Sequence, residues 1–131
     1  MEQKEHYNVV AAVIEEDGKY LCMQRCRSEY DYVTEHWEFP GGKVEDGESH
    51  HETLVREIKE EMDWDVYVGK KLGTVEQEYP DFSITLTAYL CKGGDGEFKL
   101  LRHLDYRWLE KDQFDTLKWT EGDKKLFEFI P

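Results

Sequence analysis

The chain has 131 residues, which suits one domain with a single core. Charged residues make up 36% of it and apolar residues 39%, a composition typical of globular rather than disordered proteins. The net charge of −13 argues against nucleic acid or an anionic membrane as a partner, because such a surface repels phosphate groups. The apolar run at residues 9–14 is too short for a signal peptide or a membrane span.

The three cysteines, Cys22, Cys26 and Cys91, form no Cys-x-x-Cys pair. This pattern is typical of reduced thiols and predicts a cytoplasmic protein. Because no internal repeat or linker is visible, residues 1–131 are expected to form one domain.

The first third of the chain predicts strands and loops. Residues 7–15 and 19–25 are two strands joined by a tight Asp-Gly turn. A polar loop that carries tyrosines follows at residues 28–36. Residues 37–39 form a short strand, and Pro40-Gly41-Gly42 then gives an irregular turn.

A helix is predicted directly after Ser49. Ser49 and Glu52 form a capping box, with serine at the N-cap and glutamate at N3. The apolar side chains expected on one side of this helix are Leu54, Val55, Ile58 and Met62.

Glu57, Glu60 and Glu61 gather on a neighbouring stripe of the same helix, at spacing i, i+3 and i+4. Each pair of like charges costs about 0.2–0.5 kcal/mol even when it is exposed. A hard divalent cation relieves this repulsion, and oxygen ligands suit Mg²⁺ or Mn²⁺. A backbone carbonyl of the preceding glycine turn lies close enough in sequence to join them, and Arg56 is placed to orient a carboxylate.

Beyond the helix, residues 65–78 are extended and residues 79–81 turn the chain. Residues 83–92 form a strand, and the glycines of residues 93–96 predict a hairpin loop. A last strand covers residues 106–109.

The chain ends in a predicted helix over residues 120–129, with Thr120 as N-cap and Leu126, Phe127 and Ile130 as apolar contacts. Strands that are interrupted by one helix and closed by another predict an α/β fold, with a mixed sheet between two helical layers.

The acidic helix and the glycine turn before it resemble the Nudix box, Gly-x5-Glu-x7-Arg-Glu-U-x-Glu-Glu-x-Gly-U, in which U is bulky and apolar. The matching positions, with every spacing kept, are Gly42, Glu48, Arg56, Glu57, Ile58, Glu60, Glu61 and Trp64. Asp63 stands where the family has glycine, at an expected left-handed helix end where aspartate is tolerated. The resemblance implies the Nudix fold, an α/β/α sandwich with a mixed central β-sheet.

The resemblance also implies roles in the Mg²⁺-dependent cleavage of a nucleoside diphosphate linked to another group. Glu57, Glu60, Glu61 and the backbone of Gly42 or Gly41 would bind Mg²⁺, with Mn²⁺ as an alternative. Glu48 would support them, and Arg56 would orient Glu57.

Glu57 is favoured as the general base. Some relatives use a glutamate from a loop before the last strand, but the corresponding position here, six residues before Trp108, is Arg102. His103 and Asp105 are neighbouring substitutes.

Outside the box, the chain is similar to the MutT-type nucleoside triphosphate pyrophosphohydrolases. That similarity implies that Arg25 contacts the nucleotide, Lys43 assists the leaving group, and Phe39 and Tyr79 line a base pocket. Asp123 aligns with a base-reading position, and an ionised aspartate only accepts hydrogen bonds. Ordinary core packing of Phe39 and Tyr79, a surface ion pair of Arg25 and a helix-end charge at Asp123 stay open.

The favoured function is Mg²⁺-dependent hydrolysis of a nucleoside triphosphate, (d)CTP-like or oxidised dGTP, to the monophosphate and pyrophosphate. An ADP-sugar or dinucleoside polyphosphate hydrolase would share the box and differ in the pocket. A nucleotide-sensing regulator on the same scaffold is expected to lose box carboxylates, and this chain keeps them all. The expected partner is a small nucleotide, and the protein is expected to be a monomer or a homodimer.

Overall fold

The computed structural model describes residues 4–131. The strands are β1 Glu5–Glu16, β2 Lys19–Gln24, β3 Trp37–Glu38, β4 Gly41–Lys43, β5 Val66–Glu78, β6 Phe82–Gly93 and β7 Asp105–Leu109. The helices are α1 His50–Met62 and α2 Glu121–Lys124, with 3-10 turns at Lys111–Thr116 and Phe127–Phe129.

The strands form one mixed sheet in the order β3-β2-β1-β6-β5, with β4 also paired to β1 and β7 to β2. β1 runs parallel to β6 and antiparallel to β2 and β4. β5, at the edge, runs antiparallel to β6. The predicted mixed sheet is confirmed.

The central strand β1 divides the core into two layers. Val10, Ala12 and Ile14 pack on the side of α1, while Ala11 and Val13 pack on the side of the C-terminal segment. Side chains of a strand alternate between faces, so one continuous apolar run serves both layers. The predicted sandwich of a sheet between two helical layers is confirmed.

The turn between β1 and β2 is the predicted tight turn. Asp17 and Gly18 both have positive φ, at 52° and 79°. Positive φ at both central residues is typical of a type I′ hairpin turn, for which Asp-Gly is a preferred pair.

Helix α1 begins and ends as the sequence predicts. The Ser49 hydroxyl accepts a hydrogen bond from the Glu52 amide at 3.1 Å, and the Glu52 carboxylate accepts one from the Ser49 amide at 2.9 Å. Asp63 closes the helix in the left-handed conformation, with φ 48° and ψ 46°. On the buried face Thr53 accompanies Leu54, Ile58 and Met62.

Val55 was predicted on that apolar face, and this was wrong. Val55 is 40% exposed. Val55 points about 100° away from the buried Leu54 and lies at the edge of the apolar face.

The predicted C-terminal helix is broken. α2 covers only Glu121–Lys124, and the chain continues as a 3-10 turn at Phe127–Phe129. The Thr120 hydroxyl donates to the Asp123 carboxylate at 3.0 Å and makes no cap hydrogen bond to the backbone. Tertiary contacts therefore override the local helix signal, although Leu126 and Ile130 are buried as predicted.

Two further expectations need correction. Residues 93–96 do not close a hairpin, because β7 pairs with β2 and not with β6. Gly94 and Lys99 instead donate backbone hydrogen bonds to Asp65 and Met62, so this segment packs against the end of α1.

The predicted irregular turn at residues 40–42 is partly a strand, since Gly41–Lys43 pairs with β1. The 3-10 turn at Lys111–Thr116 was not predicted.

Replacing Asp63 with glycine is expected to stabilise the fold by about 0.5–1 kcal/mol, because glycine adopts the left-handed conformation without a Cβ penalty. The ion pairs lost, to Lys59 and Lys99, lie at 3.8 and 3.3 Å between exposed side chains and contribute little. Urea unfolding measures the difference. Asp63→Ala, which keeps a Cβ, should not show this gain, and a glycine variant no more stable than the parent would contradict this account of the helix end.

Candidate active site

A cavity of about 740 Å³ opens between the glycine turn, α1, the loop after β2 and the C-terminal segment. Most of the predicted site residues line it: Arg25, Phe39, Gly42, Lys43, Glu57, Glu61, Tyr79 and Asp123. Arg56, Glu48 and Glu60 lie beside the cavity and not in its wall. The fold thus brings the acidic helix and the predicted base pocket to one place.

Gly42 gives the Glu57 carboxylate its space. A Cβ at Gly42 would lie 2.3 Å from Cδ of Glu57 and 2.5 Å from its Oε2. Only glycine allows the side chain to lie directly against the backbone of the turn. The Glu57 carboxylate, an oxygen ligand of the kind that Mg²⁺ prefers, is therefore held directly beside the backbone of the turn.

Glu61 is a buried carboxylate, 7% exposed, whose Oε2 has no hydrogen-bond partner among residues 4–131. Burial, together with the nearby charges of Glu38 and Glu57, raises the pKa of Glu61 to about 9. A carboxylate in this position is stable either with a proton or beside a cation. The donor chemistry therefore fits a divalent ion at Glu57 and Glu61.

Glu60 is not gathered with these two. Its side chain is 41% exposed and forms ion pairs with Arg56 at 3.3 Å and with Arg102 at 3.7 Å. No group of three His, Cys, Asp or Glu side chains within residues 4–131 is arranged to hold a metal ion. For Glu60 to share an ion with Glu57 and Glu61, its side chain must turn away from the arginines.

Arg56 is the hub of the network beside the cavity. Its Nε and Nη2 donate to the two oxygens of Glu48, at 2.6 and 2.9 Å, in the forked geometry that carboxylates accept. Its Nη1 donates to Oε1 of Glu57 at 2.8 Å, and its Nη2 donates to the Lys43 carbonyl at 3.2 Å. The hydrogen bonds from Arg56 lower the pKa of Glu48 to about 2, so this carboxylate stays ionised.

The Lys43 ammonium lies over the ring of Tyr7, 3.7 Å from its centroid. Both residues line the cavity, and an ammonium over an aromatic face is attracted by the ring quadrupole. The contact holds a positive charge at the wall without pairing it to an acid.

Glu38 is a site residue that the sequence did not single out. It lines the cavity, accepts a hydrogen bond from Arg25 at 2.9 Å, and lies 3.0 Å from Nε2 of His103. Burial alone would raise the pKa of Glu38, but Arg25 and His103 outweigh it and lower the value. An acid between the buried aromatic residues Trp37 and Phe39 was the available signal.

Asp123 joins the C-terminal segment to the glycine turn. Its Oδ2 accepts from the Phe39 amide at 2.8 Å, and its Oδ1 accepts from the Thr120 hydroxyl. Burial and the charge of Glu38 raise the pKa of Asp123 to about 7. Each oxygen keeps one acceptor position, so Asp123 is available to a ligand while it also holds the fold.

The predicted pocket aromatics are both buried, Phe39 at 2% exposed and Tyr79 at 6%. Tyr79 stacks on Tyr32 with centroids 5.3 Å apart, and its hydroxyl accepts from the Gly122 amide at 3.0 Å. Phe39 packs on Trp119 at 4.8 Å. Both rings belong to the core and to the cavity wall, so core packing and the lining of a base pocket are compatible roles for them.

Arg102, at the position of the relatives' loop base, and the two substitutes for that base lie in three different settings. Arg102 lines the cavity. The His103 side chain is 5% exposed and lies against Glu38, and Asp105 pairs with Arg107 on β7. Neither acid–base candidate, His103 or Asp105, faces the cavity directly.

A sequence model of the NUDIX domain matches residues 4–130. The chain belongs to the Nudix family. The CTP pyrophosphohydrolase of Escherichia coli is 36% identical over 121 residues, which cover 92% of this chain and 87% of that protein. The 8-oxo-dGTP diphosphatase of Proteus vulgaris is 48% identical over 54 residues, 41% of this chain and 48% of that protein.

The fold is shared with a crystal structure of a MutT NUDIX hydrolase from Burkholderia pseudomallei. The TM-score is 0.86 at 23% identity, with 98% of this chain and 100% of that chain covered. The predicted Nudix fold and the assignment to hydrolases of phosphoanhydride bonds are confirmed. Within residues 4–131, no helix has the length and apolar character needed to cross a membrane.

Glu61→Gln is expected to stabilise the metal-free protein at alkaline pH. The pKa of Glu61 is about 9 in the folded state and near 4.5 in the unfolded state, so its stabilising contribution is full below about pH 4.5 and is lost as pH rises through 9. The neutral amide removes this loss. At pH 8 the variant should gain at least about 1.4 kcal/mol, the value of one pKa unit, and near pH 5 it should match the parent.

Denaturant unfolding in EDTA at both pH values measures this effect. Glu60→Gln, on the exposed part of the same helix, is the control and should show no such gain. Equal stability of Glu61→Gln and the parent at pH 8 would contradict the burial of an unpartnered carboxylate.

Proposed function

We propose that this Nudix hydrolase is a Mg²⁺-dependent pyrophosphohydrolase that converts a (d)CTP-like or oxidised dGTP triphosphate to the monophosphate and pyrophosphate. The proposal depends on one observation: Glu57 and Glu61 share a single cavity with Arg25 and Asp123. The acidic residues of this cavity suit a metal-bound phosphate chain, and Asp123, Phe39 and Tyr79 offer an acceptor and aromatic rings to a base.

The ion would be held by Glu57, Glu61 and the backbone of Gly42, with Glu60 joining once it leaves Arg56. Bound there, Mg²⁺ or Mn²⁺ would neutralise phosphate charge and activate water. The unpartnered Oε2 of Glu61 and the space beside Gly42 support this assignment.

The protein's own residues supply the remaining roles of the proposal. Arg56 orients Glu57 through its hydrogen bond to Oε1, and Glu57 is also the favoured general base, which would take a proton from water through an oxygen that does not bind the ion. Lys43 would stabilise the negative charge that develops on the leaving group. Arg25, held by Glu38, would face the phosphates or the sugar.

The base preference is assigned to Asp123. When ionised, it accepts hydrogen bonds and suits the 4-amino group of cytosine or the N1 and N2 protons of guanine. Similarity to proteins named for CTP and for 8-oxo-dGTP agrees with either base. The free cysteines Cys22, Cys26 and Cys91 agree with a cytoplasmic location.

The test is a panel of CTP, dCTP, dGTP, oxidised dGTP, an ADP-sugar and a dinucleoside tetraphosphate, each with Mg²⁺. A triphosphate should give pyrophosphate, not phosphate, and EDTA should abolish turnover. The same panel on Asp123→Asn should show a changed order of bases, because the amide also donates. Preferred cleavage of the ADP-sugar or the dinucleotide, or binding without turnover, would overturn the proposal.

A further inference from the structure

The segment that joins β6 to β7 is fixed on both sides of Arg102. The Leu101 amide donates to the Glu61 carbonyl at 3.1 Å, at the end of helix α1. On the other side, Nε2 of His103 lies 3.0 Å from Glu38, and the Leu104 amide donates to Gln24 at 2.9 Å. The backbone at Arg102 is therefore held against the rim of the cavity.

Three arginine or lysine side chains line this cavity within residues 4–131: Arg25, Lys43 and Arg102. Arg25 is committed to Glu38 at 2.9 Å, and the Lys43 ammonium lies over Tyr7. Arg102 makes a single ion pair within the described chain, with Glu60 at 3.7 Å, which is too long for a good hydrogen bond. Its guanidinium donors thus remain available to a ligand.

Apart from Arg25, Lys43 and Arg102, the charged side chains of the cavity wall are acids. Glu38 and Glu57 are among them, and a polyphosphate that enters the cavity meets their repulsion. A guanidinium binds two phosphate oxygens at once through parallel N–H donors. An exposed ion pair with Glu60 contributes little and is readily exchanged for such a contact.

We propose that Arg102 binds the phosphate chain of the substrate, leaving Glu60 when the nucleotide enters. The inference rests on the proposed function for the identity of the substrate, but it concerns the recognition of phosphate itself. The departure of Arg102 removes one of the two arginines that pair with Glu60, while Arg56 remains at 3.3 Å. Arg102 thus links substrate binding to the position of Glu60.

A different role would be purely local, in which Arg102 only screens the charge of Glu60. The two roles differ in what Arg102→Ala does to ligand affinity. Loss of a phosphate contact weakens the binding of polyphosphate and leaves the binding of a metal alone intact. Loss of a screening charge changes metal binding and leaves polyphosphate binding as it was.

Arg102→Ala, Arg102→Lys and Lys99→Ala are compared with the parent protein. Lys99 belongs to the same segment and pairs with Asp63 at 3.3 Å, but it does not line the cavity, so its variant controls for the loss of one positive charge. The KM for CTP with Mg²⁺ should rise at least about ten-fold in Arg102→Ala, with a smaller change in kcat. The lysine variant should be intermediate, because it keeps the charge and loses the fork.

Calorimetry with inorganic tripolyphosphate and Mg²⁺ gives a readout that does not need turnover. Its Kd should rise at least about ten-fold in Arg102→Ala and less than three-fold in Lys99→Ala. A titration with Mn²⁺ alone should show that Arg102→Ala binds the metal as tightly as the parent does, because the contact that is lost is one to phosphate.

Equal weakening in Arg102→Ala and Lys99→Ala would overturn the inference, as would weaker Mn²⁺ binding in Arg102→Ala or no binding of tripolyphosphate to the parent. If the parent cleaves no triphosphate, the proposed function fails. The inference on Arg102 is then decided by the tripolyphosphate titrations alone.

Discussion

The buried carboxylate of Glu61 is the constraint on which the site depends. The fold places it beside Glu57 and Glu38 and gives its Oε2 no partner within the described chain. Burying a charged carboxylate without a partner is costly, and Glu61 avoids this cost by binding a proton. The same arrangement favours the binding of a cation. A cation that replaces the proton offsets both the desolvation of the Glu61 carboxylate and its repulsion by Glu57 and Glu38.

The surrounding charges are organised so that this carboxylate remains free. Arg56 is occupied by Glu48 and Glu57, and Arg25 and His103 are occupied by Glu38. Arg56, Arg25 and the His103 ring are each already in contact with another acid. Fixed carboxylates with few alternative geometries lower the reorganisation needed when a ligand binds.

Local signals predicted the acidic helix accurately. Ser49 and Glu52 set its start through hydrogen bonds between neighbours in sequence, and Asp63 sets its end through its own backbone conformation. The alternation of β1 side chains between the two faces of the sheet likewise follows from the pleat of a strand. Such features depend on residues a few positions apart, so a sequence pattern contains them.

The features that sequence reasoning missed depend on distant contacts. Asp123 accepts a hydrogen bond from the Phe39 amide, 84 positions away, and another from the Thr120 hydroxyl. These contacts accompany the break in the predicted C-terminal helix. Glu38 gains its role from His103, which is 65 positions away. The Glu60 side chain lies outside the cavity and pairs with arginines. This depends on its rotamer, which helical spacing does not predict.

The central claim is that Glu57 and Glu61 hold a divalent ion in place of a proton. The most direct measurement is calorimetric titration with Mn²⁺ at pH 7.5 in buffers of different ionisation enthalpy, which counts the protons released per ion. With the pKa of Glu61 near 9, about one proton should leave for each ion bound, and Glu61→Gln should release none and bind more weakly. Binding without proton release, or equal affinity in the variant, would contradict the claim.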